Sequence, residues 1–147
     1  MTTPLPTNRQ AAVRKRRPKP ERRVFICDDD LEFADELSSA LTMVGFAAET
    51  LKGGKTAAAV IADFRPHTIL LDIYMPPPDG FEVLDIVGRD TRRSEISLIL
   101  ASGSGPLLLE VAARFCVARS IRLAGAFEKP VRLADIIRLC DMPAPAT

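Results

Sequence analysis

The chain has 147 residues, 47% of them hydrophobic, which is enough for one domain whose core needs neither disulfides nor a structural metal. Its single histidine, His67, argues against a catalytic triad or a histidine-rich metal site, and its three cysteines (Cys27, Cys116 and Cys140) are far apart and each within an apolar stretch, as expected of reduced thiols in a cytoplasmic protein. The formal net charge of +1 conceals a partition: residues 1 to 23 hold eight Lys/Arg and one acid, Glu21, whereas the rest holds twelve basic and eighteen acidic residues.

Residues 1–21 form a basic arm with prolines at 4, 6, 18 and 20 and little apolar periodicity, so the arm is expected to be disordered in isolation. No apolar run reaches membrane-spanning length and no apolar segment follows the N-terminal charges, which argues against a membrane partner or export. From residue 22 strand-like and helix-like segments alternate five times. VFIC (24–27) is a short apolar run. Leu31, Ala34, Leu37, Leu41 and Val44 then recur at helical spacing, with Gly45 as C-cap. FAAETL (46–51) reads as a weaker strand, before a helix over roughly 55–64 that stops ahead of Pro66. KGGKT (52–56) resembles the end of a phosphate-binding loop but lacks its leading glycine, and is set aside.

His67 falls in a loop before TILLD (68–72), the clearest strand, with an apolar run that suits a sheet covered on both faces. MPPPDG (75–80) is a stiff loop closed by Gly80, and a third helix begins near Phe81. SLILAS (97–102) gives a fourth strand, SGSG a break, and residues 106–120 a helix whose Leu107 to Leu109 are expected in the core. LAGAF (123–127) and a helix over 131–139 complete the series, ahead of a tail at 142–147. Five βα units with short connections predict an α/β, doubly wound five-stranded parallel sheet over residues 22–141.

In such a sheet ligands bind beyond the carboxyl ends of the strands. Asp28 and Asp29 follow strand one, Asp72 ends strand three, Ser102 ends strand four, and Lys129 follows strand five. Clustered carboxylates repel and raise one another's pKa, so they call for a compensating cation, and magnesium suits a site of one or two carboxylates with substrate phosphate. Asp30 reads instead as a helix N-cap. A carboxylate at this edge can accept a phosphoryl group, with Lys129 and the Ser102 hydroxyl at its oxygens; taken alone, Ser102 reads equally well as a turn residue.

These motifs in this order resemble the receiver domain of two-component response regulators: the Asp-Asp pair after strand one, LLDIYMPPPDG, Ser-Gly after strand four and Lys-Pro after strand five. The resemblance implies the CheY-like, flavodoxin-like (βα)5 fold. It makes Asp72 the phosphoacceptor. Mg2+ would be held by Asp29, Asp72 and the Tyr74 backbone carbonyl, with Asp28 acting through water, and Ser102 and Lys129 would hold the phosphoryl oxygens. The donor would be a sensor histidine kinase or histidine phosphotransfer protein, the output a downstream protein target, and the chain a single-domain regulator rather than an enzyme, with at most slow self-dephosphorylation. The segment from Leu107 to Ile136 is similar to receivers linked to cyclic-di-GMP phosphodiesterases. Two positions depart from the family: Ala126, the switch position, and Val131 stand where aromatics are common. The competing readings are a nucleic-acid-binding regulator acting through the basic arm, which is the less favoured partner, and a phosphatase-like enzyme with Asp72 as nucleophile.

Overall fold

The computed structural model describes residues 22–76 and 79–142. The basic arm at 1–21, Pro77 and Pro78, and residues 143–147 of the tail lie outside them. Five strands, β1 (Arg23–Cys27), β2 (Ala47–Thr50), β3 (Thr68–Asp72), β4 (Ser97–Ser102) and β5 (Arg122–Glu128), form one parallel sheet in the order β2-β1-β3-β4-β5. Five helices connect or follow them: α1 (Leu31–Met43), α2 (Ala57–Phe64), α3 (Gly80–Arg89), α4 (Pro106–Ala118) and α5 (Leu133–Asp141).

The central strands read as continuous apolar runs because both their faces are covered, and successive residues alternate between two cores. Phe25, Cys27, Ile69, Leu71, Leu98 and Leu100 pack under α2, α3 and α4. Val24, Ile26, Leu70, Ile99 and Ala101 pack under α1 and α5. This is the doubly wound arrangement expected from five βα units. Helix starts follow local capping: the carboxylates of Asp30 and Asp79 and the hydroxyl of Thr56 accept from the backbone N–H groups of Phe33, Glu82 and Ala59. The three cysteines are free and buried.

Several boundaries differ from the sequence reading, four of them for a local reason. β2 is confined to Ala47–Thr50, because the Phe46 N–H is taken by the Leu41 carbonyl at the end of α1. α2 starts at Ala57, since Thr56 is its cap. α4 ends at Ala118, before Ser120 turns to φ +57°. α5 starts two residues late, at Leu133, because Arg132 stays extended as its N-cap. Leu107 is also not core: it is 71% exposed, whereas Leu109 is buried. A helix turns about 100° per residue, so three successive leucines cannot all face the sheet.

Gly80 couples the fold to the site. A Cβ there would meet the Ile73 Cα at 2.5 Å and the Asp72 carbonyl oxygen at 3.0 Å. The first residue of α3 therefore lies directly against the backbone that ends β3, and only glycine fits.

Candidate phosphoacceptor site

Register brings the acidic residues together. Cys27 of β1 pairs with Leu71 of β3, so the residues that follow, Asp28 and Asp72, stand side by side at the carboxyl edge of the sheet. Asp28 is 2% and Asp72 3% exposed, whereas Asp29 faces solvent. One carboxylate oxygen from each of the three lies within 4.8 Å of the others. Lys129, just past β5, reaches back across the edge, and its Nζ donates to Asp28 Oδ2 at 2.9 Å and Asp72 Oδ2 at 3.0 Å. The Lys129 backbone N–H donates to the Ser102 carbonyl at 2.9 Å, which fixes the lysine beside the end of β4.

The remaining acceptors are taken locally. Asp28 Oδ1 accepts from the Asp30 N–H at 2.9 Å, and Asp72 Oδ1 from the Tyr74 N–H at 3.1 Å. Both carboxylates are thus oriented by their own loops before any ligand arrives. Tyr74 itself projects outward at 69% exposure, so the contribution of this residue to the site is through its backbone. Ser102 is fully buried, and its Oγ accepts from the Ser104 N–H at 3.0 Å. This is the turn role allowed for it by sequence, and it leaves the hydroxyl proton free to be donated.

The electrostatics follow from this crowding. Burial, reinforced by the charge of Asp28 and opposed by Lys129 and the Tyr74 N–H, pushes the Asp72 carboxyl up to about 6. Burial also pulls Lys129 down, but the hydrogen bonds and charges of Asp28 and Asp72 together outweigh it, so the ammonium is held above its ordinary value. The Cys27 thiol, buried next to these two acids, is pushed up to about 12 and is inert as a nucleophile. Three carboxylates against one ammonium leave two negative charges in excess, all on oxygen donors, and this fits a hard divalent cation such as magnesium.

Two contributors escaped the sequence reading. The Phe33 ring on α1 lies 5.7 Å from Lys129 Nζ, a cation–π contact that covers the lysine from one side. Its only sequence signal is an aromatic one helical turn after the acidic run. The backbone N–H of Ser104 has no sequence signal at all. Ala126 pairs with Leu100 and is exposed, whereas Phe127 pairs with Ala101 and packs toward α1 and α5. β5 does contain a register shift, opposite Leu98 and Ile99, but it lies before both residues and leaves them on opposite faces.

Comparison with known proteins agrees with this geometry. The family model for the response regulator receiver domain matches residues 24–140. The two-component response regulator ORR3 of Oryza sativa subsp. indica is 30% identical over 126 residues, covering 84% of this chain and 92% of ORR3. The DNA-binding dual master transcriptional regulator RpaA of a Synechocystis strain is 31% identical over 85 residues, which is 58% of this chain; the match spans only 35% of the length of RpaA. A crystal structure of a response regulator from Colwellia psychrerythraea superposes with a TM-score of 0.62 at 26% identity, over 81% of this chain and 93% of that one. Among the described residues no helix is long and apolar enough to cross a membrane. The chain belongs to the response regulator receiver domain family of two-component signalling.

Proposed function

We propose that this receiver accepts a phosphoryl group on Asp72 from a phosphohistidine of a sensor kinase or phosphotransfer protein, in a magnesium-dependent reaction, and signals through contacts with a downstream protein. The observation that carries the reading is the single ammonium of Lys129 shared between the buried carboxylates of Asp28 and Asp72. A buried acid cluster with one counter-ion is an expensive arrangement for a purely structural edge, and it suits charge neutralisation at a transferring phosphoryl group.

Asp29 and Asp72, with the Tyr74 carbonyl and with Asp28 through water, would hold the magnesium. Bound there, the ion supplies positive charge for the phosphoryl oxygens. The protein's own residues do the rest. An Asp72 carboxylate oxygen forms a bond to phosphorus as the phosphorus–nitrogen bond of the phosphohistidine breaks. The imidazole leaves with that electron pair and takes up a proton. Lys129 Nζ, now donating to two carboxylates, exchanges part of this bonding for a phosphoryl oxygen, and the Ser102 hydroxyl donates to another. The N–H of Tyr74 holds Asp72 in position throughout.

Labelling by acetyl phosphate tests the assignment. The parent should incorporate one equivalent that it loses slowly, and Asp72→Asn should incorporate none while keeping its fold. Undiminished labelling of the variant would remove Asp72 as acceptor. Rapid turnover of small phosphomonoesters by the parent would instead favour a phosphatase-like enzyme.

A further inference from the structure

The apolar stripe of α1 reaches the acidic site. Ala34, Leu37 and Leu41 are the buried residues of this helix, and half-buried Phe33 stands one turn before Leu37 on the same face, at the helix end that follows Asp28. One loop fixes both ring and carboxylate. The Asp30 N–H donates to Asp28 Oδ1 at 2.9 Å, and the Asp30 carboxylate in turn accepts from the Phe33 N–H at 3.1 Å. Phe127 and Val131, two residues before and two after Lys129, pack in the same apolar cluster as Phe33. The ring therefore has a fixed place, with Lys129 Nζ over its face and 5.7 Å from its centroid.

The lysine has need of such a hold. Its backbone N–H is tied to the Ser102 carbonyl, but its ammonium stands at the end of a flexible four-carbon stem, on a side chain that is 26% exposed. In the resting site two charge-assisted hydrogen bonds, to Asp28 and Asp72, outweigh one contact with a ring. Phosphoryl transfer alters that balance. As Asp72 becomes an acyl phosphate its carboxylate charge is lost, and Nζ gives up hydrogen bonds just when its own charge is required at the phosphoryl oxygens. A further carboxylate in the place of Phe33 would compete with those oxygens for the ammonium protons. An aromatic face attracts the charge through its quadrupole, more strongly as water leaves, and has no lone pair with which to compete. Packing alone requires only an apolar side chain here, and leucine meets it at positions 37 and 41 of the same stripe.

We propose that Phe33 is a positioning residue for phosphoryl transfer: its ring face keeps the Lys129 ammonium over the site while the lysine exchanges carboxylate oxygens for a phosphoryl oxygen. The role rests on Asp72 being the phosphoacceptor. Phe33 acts through Lys129 alone, so it bears on the rate of transfer and leaves the affinity for magnesium, proposed above to lie with Asp29, Asp72 and the Tyr74 carbonyl, unchanged.

The test is the initial rate of labelling by acetyl phosphate at saturating magnesium, in the full chain with Phe33 replaced by phenylalanines carrying one, two and three ring fluorines. In this reaction an Asp72 oxygen bonds to phosphorus as the phosphorus–oxygen bond of acetyl phosphate breaks, and acetate leaves with that electron pair. Fluorine drains negative charge from the ring face and hardly alters its shape. The rate should fall stepwise along the series, by roughly three- to tenfold at three fluorines, as loss of a cation–π contact in a partly desolvated site implies. Phe33→Leu should fall as far, and Phe33→Tyr, whose ring face is intact, should keep the parent's rate. Magnesium affinity and urea stability should match the parent's throughout the fluorinated series. Fluorinated proteins that label at the parent's rate overturn the role and leave Asp72 as acceptor, whereas a parent that takes no label overturns acceptor and role together. Phe33→Tyr as slow as Phe33→Leu also overturns the role, because shape and not the ring face would then set the rate.

Discussion

Replacing Asp72 with asparagine should stabilise the metal-free protein, and by an amount that depends on pH. Asparagine keeps the shape of the carboxyl group and mimics its neutral form. The Asp72 carboxyl is raised from 3.8 to about 6 in the folded state, so folding favours its protonated form. The stability this group confers is therefore fully present below the unfolded value and is lost as pH rises from about 4 through about 6. Above that window the parent folds with a buried negative charge that it would shed if it could. Linkage between the two values gives a deficit of about 3 kcal/mol near neutrality and roughly half of that near pH 5. Asp72→Asn has no such deficit. Urea unfolding with a chelator present, at those two pH values, should show the variant more stable than the parent at both, with a gain near neutrality about twice that in acid. Equal stabilities at about pH 7.5, or a gain that did not change with pH, would mean that Lys129 fully compensates Asp72 and that the site stores no electrostatic strain.

Three further outcomes follow from the same geometry. Asp29→Ala should weaken magnesium binding, measured by titration calorimetry, at least tenfold, on the order of 1.4 kcal/mol, without lowering the stability of the metal-free protein. Gly80→Ala drives a Cβ into the backbone of Ile73 and should destabilise the fold by about 2 kcal/mol or more in urea melts, with loss of phosphoryl labelling as the Asp72 loop shifts. Ala126 has no side-chain rotamers to couple to Ser102, so amide NMR with a beryllofluoride mimic should show the main response at Gly103 to Leu107 rather than at Ala126 to Val131; the reverse pattern would show that the fifth strand responds without an aromatic.

The site was legible in the sequence because each of its residues sits where a strand stops. β3 and β4 end at Asp72 and Ser102 as the apolar runs foretold, since a buried parallel strand must stop where polar residues begin. The flanks were harder. β2 lies at the sheet margin with every residue half-buried, so its pattern is weak and Phe46 could be assigned to it when it serves the end of α1. The start of α5 reads two residues early because Val131 is apolar and packs against the core from an extended segment, which composition does not distinguish from a first helical turn. What sequence could not supply was distance: the approach of Gly80 to the backbone of Ile73, and the ring of Phe33 beside Lys129, which depends on segments far apart in the chain meeting at one edge.

That meeting is a consequence of parallel topology. Every βα connection leaves the sheet at the same edge and every αβ connection enters at the other, so charge placed consistently in one kind of connection accumulates at one end of the molecule. Here acids occupy the βα loops after β1 and β3, and arginines the αβ loops before β3, β4 and β5. The acidic end is held in its unfavourable state by strands buried on both faces, whose residues cannot move apart to relieve repulsion. Relief has to come from outside, as a cation or a proton. Only the proton is available to the metal-free parent, and Asp72→Asn needs neither. In the urea experiment, added magnesium should therefore raise the stability of the parent and narrow its gap from the variant, because a ligand stabilises only the state that binds it. A gap that stayed fixed at saturating magnesium would separate the strain on Asp72 from the metal site and require a different source for the raised carboxyl.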